Sequence, residues 1–182
     1  MIYISLLRGI NVGGKNSIKM DLLRELYTEL GFTEVKSYIQ SGNLIFRYSN
    51  YNSDKLGNLI SNAIFEKFGF NVYVLVITAD EFKFDIVNNP FYKHLAKNST
   101  FIHFTFLSEK PANDLVSSIK LDDFNPDECV FFDKMVYLYC PNGYSKTKLT
   151  NPYFERKLKL SATTRNFKTV LELESMLDNF QK

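Results

Sequence analysis

Apolar and polar positions alternate from the first residues. Ile2, Ile4 and Leu6 interleave with Tyr3, Ser5 and Leu7, so residues 1–7 are predicted to form a strand covered on most of both faces. The spacing then becomes helical: Leu22, Leu23, Leu26 and Leu30 share one face of residues 20–30, and Gly31 marks a stop. Residues 34–40 and 44–48 read as strands joined by a hairpin turn through Ser41-Gly42-Asn43. A second helix starts from Asn52 or Ser53, turns Leu56, Leu59, Ile60, Ala63, Ile64 and Phe68 inward, and ends at Gly69. Residues 72–77 are a buried strand. The order β-α-β-β-α-β is the ferredoxin-like arrangement.

Thr78 and Glu81 have the spacing of a capping box. They open a helix through Phe82, Ile86 and Val87 that stops near Asn88-Asn89-Pro90, and a linker without periodicity runs on to Thr100. The order then repeats. A strand over residues 101–107 precedes a short helix over 111–119, a hairpin of residues 128–132 and 135–140, and a helix from Asn151-Pro152 carrying Phe154 and Leu158 inward. Residues 160–163 are the only candidate for a closing strand. The chain is thus read as α+β, with two ferredoxin-like halves packed in one compact chain, the second incomplete. Residues 1–78 form the first half, 79–100 a helix and linker, 101–163 the second half, and 164–182 a C-terminal helix with Phe167, Val170, Leu171 and Leu177 inward.

Composition fits a buried core: 182 residues are 45% hydrophobic, with 17 Phe and 11 Tyr. The formal charge of +2 does not indicate a broad footprint for duplex nucleic acid, though it leaves room for a local basic patch. Cys129 and Cys140 flank the second hairpin. With Asp133-Lys134 as its turn, Cys129 faces Leu138 and stands diagonal to Cys140, a spacing of roughly 7–8 Å that does not suit a disulfide. Two buried thiols, no signal-like start and no apolar run long enough for a bilayer lead us to expect a cytoplasmic protein without membrane partners. His94 and His103 lack nearby acidic or cysteine partners. They read as a surface and a sheet residue, and no metal site or cofactor is expected.

Candidate chemistry concentrates in residues 6–19, LLRGINVGGKNSIK. Gly9, Gly13 and Gly14 permit left-handed backbone, Asn11 and Asn16 tolerate it, and Arg8, Lys15 and Lys19 supply cations ahead of a helix. Strand, glycine loop and helix start present N–H groups and a positive dipole end to an anion. Gly9, Gly14 and Lys15 also satisfy G-x-x-x-x-G-K. However, Asn16 stands where a magnesium-binding Ser or Thr belongs, and the hairpin that follows is foreign to a P-loop core. Arg165, just before the C-terminal helix capped by Asn166 or Thr164, is a second place suited to an anion.

Three stretches occur together: LLRGINVGGKN at residues 6–16, YIQSGN at 38–43 and TTRNFKTVLEL at 163–173. With Pro90-Phe91 and GYSKTKL at residues 143–149, they make the chain resemble a bacterial family known as domain of unknown function 1697. Phe167 stands where that family is expected to carry Trp. The resemblance implies a ferredoxin-like α+β fold and brings no activity, substrate or catalytic residue.

The first loop, the Gln40–Asn43 turn and the TTRN segment are therefore expected to line one groove. Its ligand-binding residues would be Arg8, Gly9, Asn11, Gly13, Gly14, Lys15, Asn16, Lys19, Gln40, Ser41, Asn43, Thr164, Arg165 and Asn166. A set rich in N–H donors and poor in carboxylates suits a phosphate-bearing or nucleotide-like small molecule. Single-stranded nucleic acid is the less favoured partner: Phe46 and Tyr48 are aromatics on the third strand, but the RNA-recognition signature is missing. An enzyme acting on a phosphorylated substrate is also permitted, although Ser41 and Ser145 have no neighbouring His and no catalytic set assembles. A protein-interaction module working through Phe and Tyr patches completes the alternatives. Oligomeric state is not legible in the sequence.

Overall fold

The computed structural model describes residues 1–14, 16–49, 51–92 and 97–180. The chain divides into two units, residues 1–84 with 173–182, and residues 85–172. In the first, β1 (Ile2–Leu7), α1 (Met20–Glu29), β2 (Thr33–Tyr38), β3 (Asn43–Arg47), α2 (Ser53–Phe68) and β4 (Val74–Thr78) follow the expected order. The sheet runs β2-β3-β1-β4 and is antiparallel throughout.

Strand alternation divides the side chains between two faces. Tyr3, Leu7, Leu44, Phe46, Val74 and Val76 join Leu23, Leu26, Tyr27, Leu56, Ile60 and Ile64 of the helices in one core. Ser5 interrupts that face fully buried, and its hydroxyl is 2.8 Å from the Tyr27 hydroxyl, so the polar pair satisfies itself. Burial pushes the Tyr27 phenol far above its usual range. α2 starts at Asn52, whose side chain accepts from Lys55 N at 2.9 Å, and it ends on left-handed Gly69. An added Cβ on Gly57 would lie 2.5 Å from the Val74 carbonyl oxygen, which shows how closely α2 rides on β4.

The capping box forms at the start of α3 (Ala79–Val87): Thr78 N donates to Glu81 Oε2 at 2.8 Å, and Glu81 N donates to Thr78 Oγ1 at 3.2 Å. The second unit continues with β5 (Ile102–Leu107), α4 (Asn113–Ser117), β6 (Glu128–Phe132), β7 (Met135–Tyr139), α5 (Asn151–Leu158) and β8 (Ala162–Asn166). Its order, β6-β7-β5-β8, repeats that of the first sheet. The closing strand therefore extends three residues beyond residue 163, and the half is complete. Thr163 and Thr164 are β-branched and sit well in a pleated strand. The Thr164 hydroxyl donates to Asn151 Oδ1 at 2.6 Å and lies 2.7 Å from that of Thr105, which ties β8 to β5 and to the first residue of α5.

α6 (Phe167–Phe180) follows, and its residues from Leu173 onward group with the first unit. There Arg47 Nη2 donates to the Phe180 carbonyl at 3.1 Å, Lys36 Nζ sits 4.5 Å from the Phe180 ring centre, and Lys83 pairs with Asp178 at 2.7 Å. No helix among the described residues is long and apolar enough to cross a membrane.

The hairpin β6–β7 has the expected register, with Cys129 opposite Leu138. Both cysteines are free and buried in the core beneath α5, and burial pushes Cys129 up to about 12 and Cys140 up to about 11. The thiolate is the reactive form, and at about pH 8 only about a thousandth or less of either would be ionised. Both should therefore resist an aromatic disulfide reagent in the folded protein and react together once it is denatured. Thiol release followed across a denaturant series checks this.

Candidate functional site

The loop between β1 and α1 is held at both ends by apolar anchors, Ile10 and Ile18, each nearly inaccessible to solvent. Leu7 N donates to the Gly42 carbonyl at 2.8 Å, and Arg8 N to the Tyr73 carbonyl at 3.0 Å, so the chain leaves the sheet in a fixed direction. Asn11 then acts as a clip. Its Oδ1 accepts from Ile18 N at 2.8 Å, while its Nδ2 donates to the carbonyls of Ile18 at 3.0 Å and Gln40 at 2.8 Å. Its own backbone is left-handed, with φ 56°, as an asparagine tolerates. Three segments that the sequence separates are thereby joined through one side chain.

Within this frame Gly9, Gly13 and Gly14 all have positive φ and all are exposed. No atom lies within 4 Å of an added Cβ at any of them, so they are required by backbone conformation and not by close packing. Asn16 is also left-handed, and its Nδ2 reaches the Gly9 carbonyl at 3.4 Å. Lys19 is exposed at the start of α1 and makes no side-chain cap. Lys15 lies outside the described residues, as does His94.

Other predicted site residues have structural work. Asn43 is fully buried, and its Nδ2 donates to the Tyr38 carbonyl at 3.2 Å and to Ser41 Oγ at 3.0 Å. It holds the β2–β3 turn, beside Ile39, a β-branched residue at φ 48°. The exposed Gln40 enters the loop through its carbonyl. The structure therefore brings the loop and this turn together.

The TTRN residues belong to the second unit and do not form a loop. Thr164 bonds to Asn151 and Thr105, while Asn166 caps α6 by accepting from Thr169 N at 2.8 Å. Arg165 is half-buried and donates to the Thr164 carbonyl at 3.0 Å, and burial pushes its guanidinium down to about 10. His103 is buried in β5, stacked on Tyr144 at 4.7 Å, and burial lowers its pKa. It is a sheet residue.

Two strand arrangements bear on alternative chemistries. β1 is antiparallel to both neighbours, which is not the parallel core behind a P-loop. Phe46 is fully buried between Tyr3, Tyr27 and Phe32, and Tyr48 packs on Phe32 and Tyr51. Neither lies on an open stacking platform. Among the described residues, no group of three or more His, Cys, Asp or Glu is placed to hold a metal.

The glycine loop, the hairpin turn and the whole first sheet fall within a family model, described as protein of unknown function, that matches residues 1–137. The chain belongs to the DUF1697 family. A DUF1697 chain can also be compared with solved structures. This one is similar to the conserved bacterial protein SP0830 from Streptococcus pneumoniae, with 27% sequence identity, a TM-score of 0.71, and coverage of 97% of this chain and 98% of that one. No curated protein matches the chain.

Six polar residues that sequence reasoning did not assemble are Asp123, Asn125, Asp127, Asn142, Lys146 and Lys148, which line one cavity of the second unit. The signal available was the motif over residues 143–149, whose lysines had no visible counterpart until the fold supplied a facing wall.

Proposed function

We propose that the β1–α1 loop of this DUF1697 protein binds an anionic small molecule bearing phosphate, a nucleotide-like compound being the form that suits it best. The observation that carries the reading is the run of exposed, left-handed glycines at Gly13 and Gly14, held in a loop that Asn11 clips to its surroundings. A preformed loop of this kind offers main-chain N–H groups without an ordering cost at binding. Arg8 and Lys19 add positive charge at its two ends.

Calorimetric titration with ATP and with inorganic phosphate at low salt is the test. Lys19→Glu is the informative variant, because an acidic residue at a helix start favours the helix and so does not compromise folding. Binding should weaken by about tenfold or more in Lys19→Glu, the loss of one charge-assisted contact. Arg165→Gln, in the second unit, is the control and should bind like the parent. An absence of binding in the parent protein, or undiminished binding in Lys19→Glu, sinks the proposal.

A further inference from the structure

The second unit contains a cavity of about 380 Å³ between the segment over residues 123–127 and the turn over residues 142–148. That volume lies within the range of small-molecule sites. We propose that it is a binding site for a small zwitterion, a molecule of amino-acid or dipeptide size carrying both an ammonium and a carboxylate.

The argument is one of charge. Lys146 and Lys148 line the cavity together with Asp123 and Asp127, two charges of each sign. Neither lysine is in an ion pair with either aspartate, whereas Arg24, Arg47, Lys67, Lys83, Lys97 and Lys110 each have a carboxylate within 4.0 Å. Opposite charges that share a cavity without meeting leave both signs available to a ligand. A phosphate or other pure anion would be drawn by the lysines and repelled by the aspartates, and a pure cation would meet the reverse. Each like-charge contact near the surface is unfavourable by an amount comparable to the attraction it offsets. A metal ion is a poor occupant because the carboxylates number only two and ammonium groups stand beside them. A ligand with separated ends satisfies all four groups, and the half-buried Phe124 offers its ring to the apolar part between them. Asn142 supplies an amide for the hydrogen bonds of a peptide unit.

The wall over residues 123–127 falls inside the family match and that over 142–148 beyond it. The site is independent of the glycine loop and of the proposal made for it.

The test is a nuclear magnetic resonance titration of the full chain with alanyl-alanine, its N-acetylated form and its C-terminal amide. Alanyl-alanine should give saturable shifts at the backbone amides of residues 123–127 and 142–148, with millimolar affinity or better. Removing either end charge should weaken binding by about tenfold or more. Asp123→Asn should abolish the advantage of a free amine, and Lys146→Gln that of a free carboxylate. Both side chains are exposed, so neither change threatens the fold. No saturable shift by about 20 mM would overturn the proposal. So would equal binding of the free and blocked dipeptides, or shifts confined to other residues.

Discussion

Phe46→Ala should destabilise the protein by about 3–5 kcal/mol, the range for emptying a well-packed aromatic site. Phe46 is fully buried in β3. Its ring stacks on Phe32 with centroids 4.4 Å apart and on Tyr3 at 5.7 Å, and it meets Tyr27 edge-on at 5.4 Å. Removing it withdraws a partner from three aromatic pairs at once, beyond the loss of buried area. Tyr27 cannot move to fill the space, because its hydroxyl is committed to buried Ser5. Phe46→Leu, which keeps most of the volume, should cost about 1–1.5 kcal/mol. Urea unfolding of both variants checks the pair. The same comparison bears on the nucleic-acid alternative, since an aromatic that stacks a base loses binding when replaced, whereas a core aromatic loses stability. Phe46→Leu should therefore leave any single-strand binding unchanged.

The fold was legible because its signals are local. Period-two and helical spacing placed the strands and helices. Thr78 and Glu81 announced a capping box that forms, the caps offered at Asn52 or Ser53 and at Asn166 or Thr164 fall to the asparagines, and the register of Cys129 against Leu138 followed from a two-residue turn. The extent of β8 was less visible, because Arg165 and Asn166 read as a charged residue and a cap ahead of α6, and only pairing with β5 carries the strand through them. The roles of the polar residues were hardest to read. Asn11 and Asn43 look alike in sequence as potential ligand donors. Yet Asn43 is fully buried and holds its own turn, and Asn11 clips the loop together. A side chain that bonds across 29 positions to Gln40 leaves no periodic trace. The two walls at Asp123 and Lys146 flank the predicted β6–β7 hairpin, but nothing in the spacing showed that their charges line one cavity.

Gly42→Ala should cost about 3 kcal/mol and damage the candidate site along with the fold. Two effects act in the same direction. Gly42 has φ 73°, where a side chain costs about 1–2 kcal/mol. Its added Cβ would also lie 2.6 Å from the Leu7 Cβ and 2.9 Å from Ile10 Cδ1. Neither neighbour has room to retreat, as both are almost completely buried, and overpacking of this kind typically adds about 1–3 kcal/mol. The turn can relieve the clash only by moving away from Leu7, which lengthens the 2.8 Å bond from Leu7 N to the Gly42 carbonyl. That movement also carries Gln40 away from Asn11, and it shifts Ile10, the anchor of the glycine loop. Gly13→Ala offers the contrast: its φ of 61° imposes similar backbone strain, but open space surrounds the added methyl, so the cost should stay near 1–2 kcal/mol. Denaturant midpoints for the two variants separate packing from conformation. A Gly42→Ala protein as stable as Gly13→Ala would mean that the turn does not press on Leu7 and Ile10 in solution, and the preformed loop would lose its main support.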